Sequence, residues 1–438
     1  MPRGAVSFSR TVYSALMWAV RPLLLRKLRR RAVAEPGYGH AVEERFGRYG
    51  QAAAAGSDSP AGPLVWIHAV SLGETRAAAI LLKELRTQLP GMRLLLTHGT
   101  ATGRAEGARL LQSGDLQAWQ PWDTPGAVGR FLEHFRPAIG VLMETEIWPN
   151  LVAGCRQRGI PLVLANARLN EKSLAGARRW AWLARPAYAG LSAAWAQTES
   201  DAGRLRAAGA RVEGVFGNVK FDVVPDAAQL AQGRAWRDAS PRPVVLLASS
   251  REGEEALWLE ALHALQFTAG GMAHAGVQWL VVPRHPQRVA EVRQRIEAAG
   301  LTVSSRSGWA GAPGAADVWL GDSLGEMALY YGMAHAALLG GSFAPLGGQN
   351  LIEAAACGCP VVTGPHTFNF AEAARLACEA GAALRVADMA EGVAAARALV
   401  HDAAALAATG NRALAFTQAH QGAARATAAA VVHQLQGR

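Results

Sequence analysis

The sequence predicts an α/β protein of two Rossmann-like, doubly wound lobes facing a cleft, preceded by an N-terminal membrane-associated helix. Three observations carry that expectation. At 438 residues the chain exceeds one ordinary core and implies two domains of roughly 200 residues each. Short apolar runs alternate with longer helix-like segments, in two successive sets. The excess basic charge is gathered at one end of the chain.

Residues 1–35 form the predicted N-terminal anchor. Within residues 1–31, Arg3, Arg10, Arg21, Arg26, Lys27, Arg29, Arg30 and Arg31 supply eight of the ten net positive charges, with no acid in that span. The rest of the chain holds 36 basic against 34 acidic groups and is nearly neutral, which argues against nucleic acid and for a local contact with an anionic membrane surface. The apolar run at 11–25 contains Arg21 and Pro22 and falls short of the roughly 20 residues of a simple span. Phe8, Val12, Leu16, Ala19 and Leu23 nevertheless share one side at helical spacing, as in a helix lying on a bilayer. A helix packed on the body is the other reading. The basic cluster follows the apolar run and no small-residue cleavage site does, so the body is expected on the cytoplasmic side of the inner membrane.

The first lobe is expected over 36–225. After the low-complexity stretch QAAAAGSDSPAGP, the runs PLVWIHAV, MRLLLTH, AIGVLME and IPLVLAN read as strands buried on both faces. A polar connection from about Asp222 to Pro243 separates them from a second set: PVVLLASS, VQWLVVPRH, DVWLGD, AALLGGS and CPVVTGP. These define a second lobe over 240–438, whose Ala-rich tail from about Ala390 reads as helix. Ligands in open parallel sheets sit beyond the carboxyl ends of the strands, so the loops after both strand sets are expected to carry the chemistry. The four cysteines Cys155, Cys357, Cys359 and Cys378 lack metal-ligand spacing and disulfide density, which fits a reducing compartment.

Five segments carry chemistry. SLGETR places Glu74 at the start of a helix after a strand, where it is either a general base or a first-turn acid complementing the helix dipole; Gly73 leaves room for a substrate. METEIWPN ends a strand with Glu144 and Glu146, acids that are costly there unless solvated, used, or paired with an arginine such as Arg168. GNVKFD offers the Lys220 ammonium to phosphate or carboxylate charge. VVPRHP puts Arg284 after a strand, where a guanidinium grips phosphate with two bonds, and His285 beside it. The richest segment follows Gly340: four glycines up to Gly348, then Asn350 and Glu353 one helical turn apart, suited to a phosphate and a ribose. Neither a dinucleotide fingerprint nor a Walker loop is present.

Taken in order, GYGHAVEERFG, WIHAVSLGET, METEIWPNL, LANARLNEKS, AQTESDAGRL, GNVKFD, VVPRHPQR, GDSLGEM, GGSFAPLGGQNLIEAA and GPHTFNF resemble the 3-deoxy-D-manno-octulosonic acid (Kdo) transferases of lipopolysaccharide assembly over almost the whole chain. The resemblance implies a GT-B fold, an acceptor lobe followed by a lobe for the donor CMP-Kdo, and no metal or other cofactor. It implies Glu74 as the base for a hydroxyl of a lipid A precursor, and Glu144 and Lys220 as stabilisers of the transition state. For CMP it implies Pro283 and Arg284, then Leu324, Gly325 and Glu326, then Asn350, Leu351, Ile352 and Glu353. Two rival readings remain open on sequence alone: a uridine-nucleotide transferase or epimerase of the same fold, and a catalytically silent membrane-tethered binding protein.

Overall fold

A computed structural model describes residues 8–50, 62–268 and 276–437. Arg3 and most of the low-complexity stretch after Gln51 lie outside the described residues. The chain divides into two compact units, 1–222 with 421–438, and 223–420.

The first unit is built on seven parallel strands: β1 (Leu64–His68), β2 (Arg93–His98), β3 (Leu116–Trp119), β4 (Ile139–Met143), β5 (Leu162–Ala167), β6 (Ala193–Ala196) and β7 (Val212–Val215). Their order is β3-β2-β1-β4-β5-β6-β7, so the winding reverses between β1 and β4. Trp66 of β1 stands opposite Leu95 on one side and Gly140 on the other. Successive strand residues point to opposite faces. Leu64 and Trp66 accordingly join a core with Phe131, Leu132 and Leu151, while Val65 and Ile67 join another with Ala78, Leu81 and Leu85 of the helix Leu72–Gln88.

The second unit repeats the plan with β8 (Val244–Ser250), β9 (Gln278–Pro283), β10 (Val303–Ser305), β11 (Val318–Leu320), β12 (Ala336–Leu339), β13 (Val361–Thr363) and β14 (Ala383–Arg385). The order β10-β11-β9-β8-β12-β13-β14 reverses between β8 and β12. Every strand expected from sequence is present, and those expected are the contiguous centre of each sheet. The five that were not expected, β3, β6, β7, β10 and β14, are outer strands of three or four residues.

Two differences from the sequence reading concern the domain limits. The connection from Asp222 to Pro243 contains a helix, Ala227–Asp238, that packs on the helix Met327–Met333 of the second unit. The end of the chain does not belong to that unit, as the span 240–438 required. Helix Ala423–Gln436 packs on Leu72–Gln88, with Ala424, Ala428 and Val431 in the first unit's core. Asp222 fixes its start by accepting the N–H of Ala424 at 2.7 Å. An Ala-rich helix has the same periodicity on either lobe, so the sequence pattern did not distinguish the two sites.

The helix Phe8–Ala34 is packed on the body, the second of the two readings that its sequence left open. One face is fastened to the first unit. The Tyr13 hydroxyl bonds to buried Asp123, the Ser14 hydroxyl donates to Asn150 Oδ1 at 3.1 Å, and Asp123 accepts the N–H groups of Asn150 and Leu151 at 3.0 and 2.8 Å. The opposite face leaves Phe8, Val12, Leu16, Ala19 and Leu23 exposed, the same stripe that the spacing identified. Among the described residues, no helix is long and apolar enough to cross a membrane.

The pairing of Ala227–Asp238 with Met327–Met333 depends on backbone contact. A Cβ on Gly233 would lie 2.2 Å from the Leu329 carbonyl oxygen. Overpacking of this kind costs about 1–3 kcal/mol. Gly233→Ala is expected to lower the thermal midpoint measured by calorimetry, and an unchanged midpoint would contradict this packing.

Candidate active site

In the first unit, the acidic groups singled out from sequence collect at the carboxyl ends of the strands that flank the winding reversal. β1 ends at His68, and three residues later Ser71 caps the helix Leu72–Gln88, its hydroxyl accepting the Glu74 N–H. Glu74 Oε2 accepts the Val70 N–H at 2.7 Å, whereas Oε1 has only a 3.4 Å contact from the Ser71 hydroxyl. The bland reading of Glu74 is therefore partly realised, because one oxygen serves the helix start. The other carries only that long contact. Beside it, Gly73 is exposed and a Cβ there would meet only Ser71 Oγ, at 4.0 Å.

β4 delivers Glu144, whose backbone adopts φ +60°. That left-handed conformation is unfavourable for a residue with a Cβ and persists only where its surroundings hold it. Here the holding groups are visible. The Glu144 side chain is 3% exposed; Oε1 accepts Lys220 Nζ at 2.8 Å, and Oε2 pairs with Arg168 Nε at 3.0 Å. Its N–H donates to Ala165 O at 3.0 Å, and its carbonyl accepts the Arg168 N–H at 3.2 Å. The bland pairing with Arg168 thus occurs, and the other oxygen of the same carboxylate takes Lys220, a partner that the sequence did not suggest.

The loop bearing Lys220 is itself fastened to β5. Asn166, also left-handed at φ +52°, accepts the Val219 N–H on Oδ1 at 3.1 Å. Sequence reasoning quoted LANAR as a matching stretch but gave Asn166 no role. Its signal would have been an asparagine ending an apolar strand, a residue type that tolerates this backbone.

These groups set the proton affinity of Glu74. Burial pushes its carboxyl up from 4.5 to about 7; the Val70 N–H and Lys220 oppose the rise, and the negative charges of Glu144 and Glu146 assist it. Below the site two imidazoles are kept neutral. Burial drives His68 down to about 3 and His98 down to about 4. Gln117 Nε2 donates to His98 Nε2 at 3.1 Å, so His98 Nδ1 carries the proton and donates it to Ala69 O at 3.0 Å, bracing the turn before Glu74.

In the second unit, the expected nucleotide residues lie at or just beyond the ends of β9, β11 and β12, three of the four neighbouring strands β11, β9, β8 and β12. Pro283 closes β9, and the Arg284 N–H donates to Ser250 O at 2.9 Å. Leu324 is exposed, Gly325 is left-handed at φ +84°, and Glu326 pairs with Arg306 at 2.9 Å. Asn350 caps the short helix Leu351–Ala356 by accepting the Ile352 N–H at 3.1 Å, and its amide donates to Glu353 at 3.3 Å. Leu351 and Ile352 are buried beneath this turn. Arg284 and Glu353 each lie close enough to the buried Tyr331 hydroxyl to act on its charge, in opposite directions.

Sequence reasoning missed the turn after β8. Glu254, fully buried, accepts the N–H groups of Gly341 at 2.6 Å, Phe343 at 3.0 Å, Ala344 at 3.3 Å and Arg251 at 2.9 Å. The glycine-rich loop that leads to Asn350 is thereby wrapped around an internal carboxylate. Next to it, Glu255 forms a two-bond pair with Arg288 at 2.8 and 3.0 Å and accepts the Ser250 hydroxyl at 2.7 Å. The signal was in view as three acids, Glu252, Glu254 and Glu255, just beyond a strand end that was read only as a strand.

Two parallel-sheet units of this kind define the GT-B class of α/β folds. The fold is similar to that of a UDP-GlcNAc 2-epimerase from Neisseria meningitidis, with a TM-score of 0.56 and 15% identity, covering 86% of this chain and 100% of that one. Residues 40–223 match the family profile described as 3-deoxy-D-manno-octulosonic-acid transferase (kdotransferase). The chain is 48% identical to the 3-deoxy-D-manno-octulosonic acid transferase of Bordetella pertussis over 428 residues, covering 95% of this chain and 97% of that protein. With the Haemophilus influenzae enzyme of the same name it shares 32% over 388 residues, covering 86% and 87%. The chain belongs to the 3-deoxy-D-manno-octulosonic acid transferase family. It is a glycosyltransferase that transfers Kdo.

The charges around Glu74 predict how its titration responds to substitution. Glu144→Gln removes a negative neighbour and leaves Lys220 opposed by less negative charge, both of which favour ionised Glu74. The acidic limb of kcat/KM is expected to move to lower pH, whatever the loss in rate. A limb that stays in place or moves up would contradict the electrostatic coupling.

Proposed function

We propose that the chain transfers Kdo from CMP-Kdo to a lipid A precursor by direct displacement, with Glu74 as the base. The acceptor hydroxyl gives its proton to Glu74 Oε1 as its oxygen attacks the anomeric carbon of Kdo. The bond from that carbon to the phosphate oxygen breaks, CMP departs, and the anomeric centre inverts. The observation that carries this reading is the carboxyl of Glu74, raised to about 7 with one oxygen left for chemistry. A base of that strength is half ionised near neutrality yet retains affinity for the proton it takes.

Lys220 supplies positive charge beside Glu74, and Glu144 aims it. In the second unit, Arg284 is the group for the CMP phosphate, with Pro283 beside it. Leu324, Gly325 and Glu326, and Asn350 to Glu353, complete the nucleotide site. Charge on the departing phosphate is met in this reading by guanidinium and ammonium groups without a metal ion.

A lipid acceptor gives the N-terminal helix its purpose. Its exposed apolar stripe would rest in the cytoplasmic face of the inner membrane, with Arg26, Lys27, Arg29, Arg30 and Arg31 among anionic head groups. Anchored by its inner face to Asp123 and Asn150, the helix holds the first unit at the surface where the acceptor resides.

Two measurements test this reading. Transfer from CMP-Kdo generated in situ to a tetraacylated lipid A precursor, followed by product mass, should fall by about 10²-fold or more in folded Glu74→Ala. An active variant would overturn the base assignment, and absence of transfer by the folded wild type would overturn the substrates. Glu254→Gln should weaken CMP binding by about tenfold or more, because the glycine loop loses part of its acceptor. The acceptor KM should be unchanged; a rise in both would place Glu254 outside the donor site.

A further inference from the structure

The first unit carries a second surface whose chemistry matches the outer face of the N-terminal helix. Residues Arg178 to Arg185 bridge the helices Glu171–Arg179 and Ala181–Ala189. Trp180 and Trp182 are 54% and 46% exposed, with ring centroids 6.0 Å apart in an edge-on pair. Each leaves on the order of 100 Å² of mainly apolar surface in water. Folding does not need them outside, because Leu174 and Tyr188 already bury these two helices against the core.

The charge along this stretch of chain is of one sign. Between Ala175 and Ala189 the charged residues are Arg178, Arg179 and Arg185, all exposed, with no acid. Helix Ala181–Ala189 packs against the N-terminal helix, so the tryptophan pair and the exposed apolar stripe belong to neighbouring elements of one unit. Tryptophan has an apolar body and a polar N–H and settles where hydrocarbon meets water, while arginine pairs with anionic head groups. A second copy of the chain is a poorer occupant. A twofold contact through this patch would set arginine against arginine.

We propose that residues Arg178 to Arg185 form a second membrane-contact surface, seating Trp180 and Trp182 at head-group level on an anionic bilayer. The proposal rests on the lipid-acceptor reading above and adds to it. With the N-terminal helix it gives two anchoring elements on one unit, which fixes an orientation on the membrane as a single helix does not.

The test is flotation of the full-length protein with phosphatidylcholine vesicles, with and without phosphatidylglycerol, alongside transfer to detergent-dispersed acceptor. The Trp180→Ala/Trp182→Ala variant should partition at least about tenfold more weakly while keeping its detergent activity. Arg178→Gln/Arg179→Gln should lose about fivefold per arginine, on vesicles with phosphatidylglycerol only. Unchanged partitioning of the tryptophan variant would overturn the proposal. So would a shift from dimer to monomer with partitioning intact, which would make the patch a self-association face. Loss of detergent activity with partitioning intact would also overturn it. Failure of the wild type to transfer Kdo in detergent would instead strike the proposed function, and the flotation result stands apart from it.

Discussion

A carboxylate almost fully removed from water is tolerable only if cations or hydrogen-bond donors meet it, and in the first unit Glu144 is met by two cations. Lys220 from the turn beyond β7 and Arg168 from the end of β5 both reach it, one on each oxygen. Removing a partner from such a pair is strongly destabilising, whereas the intact pair contributes little net stability. Its value is positional. The two contacts fix where three strand ends lie, hold the backbone of Glu144 in a left-handed conformation, and present a fixed negative charge to Glu74. The raised affinity of Glu74 for a proton depends on burial first and on this arrangement second.

The second unit solves a related problem with one carboxylate and no cation. Glu254 is satisfied by four backbone N–H groups, three of them from the glycine-rich loop. In the first unit a buried charge orders side chains; in the second it orders backbone. The difference matches the chemistry proposed for each, since a proton transfer needs tuned side chains and a nucleotide needs a closely approaching main chain. The N-terminal helix extends the logic outward. Its Tyr13 and Ser14 are tied through Asp123 and Asn150 to the start of the helix that follows Glu144 and Glu146, so the N-terminal helix and the proposed acceptor site share one short stretch of chain.

Much of this was legible in the amino-acid order. Central strands buried on both faces read as continuous apolar runs, and all nine of those were found. Outer strands such as VSS and ALR are too short and too exposed for any pattern to show. Glu144 stood out because acids at a strand end are costly unless solvated, paired or used, whereas Glu74 and Lys220 gained their expected roles from the family resemblance, since a first-turn glutamate or a lone lysine means little by itself. Pairing geometry was not legible. Nothing in METEIWPN says that one oxygen of Glu144 takes Lys220 and the other Arg168, because those partners lie 76 and 24 positions along the chain. Glu254 escaped notice since a buried acid bonded to main chain looks like any first-turn glutamate. The return of the last helix to the first unit depends on Asp222 and on small residues opposite Leu72–Gln88, which alanine periodicity does not encode.

Base catalysis by Glu74 depends on its proton affinity, and the most direct test is a ¹³C NMR titration of its carboxyl carbon in the full-length enzyme, with the resonance assigned by its disappearance in Glu74→Gln. The expected midpoint is near 7, raised by burial. A midpoint near the ordinary 4.5 would contradict it, and would leave Glu74 as a helix-capping residue with the base to be sought elsewhere.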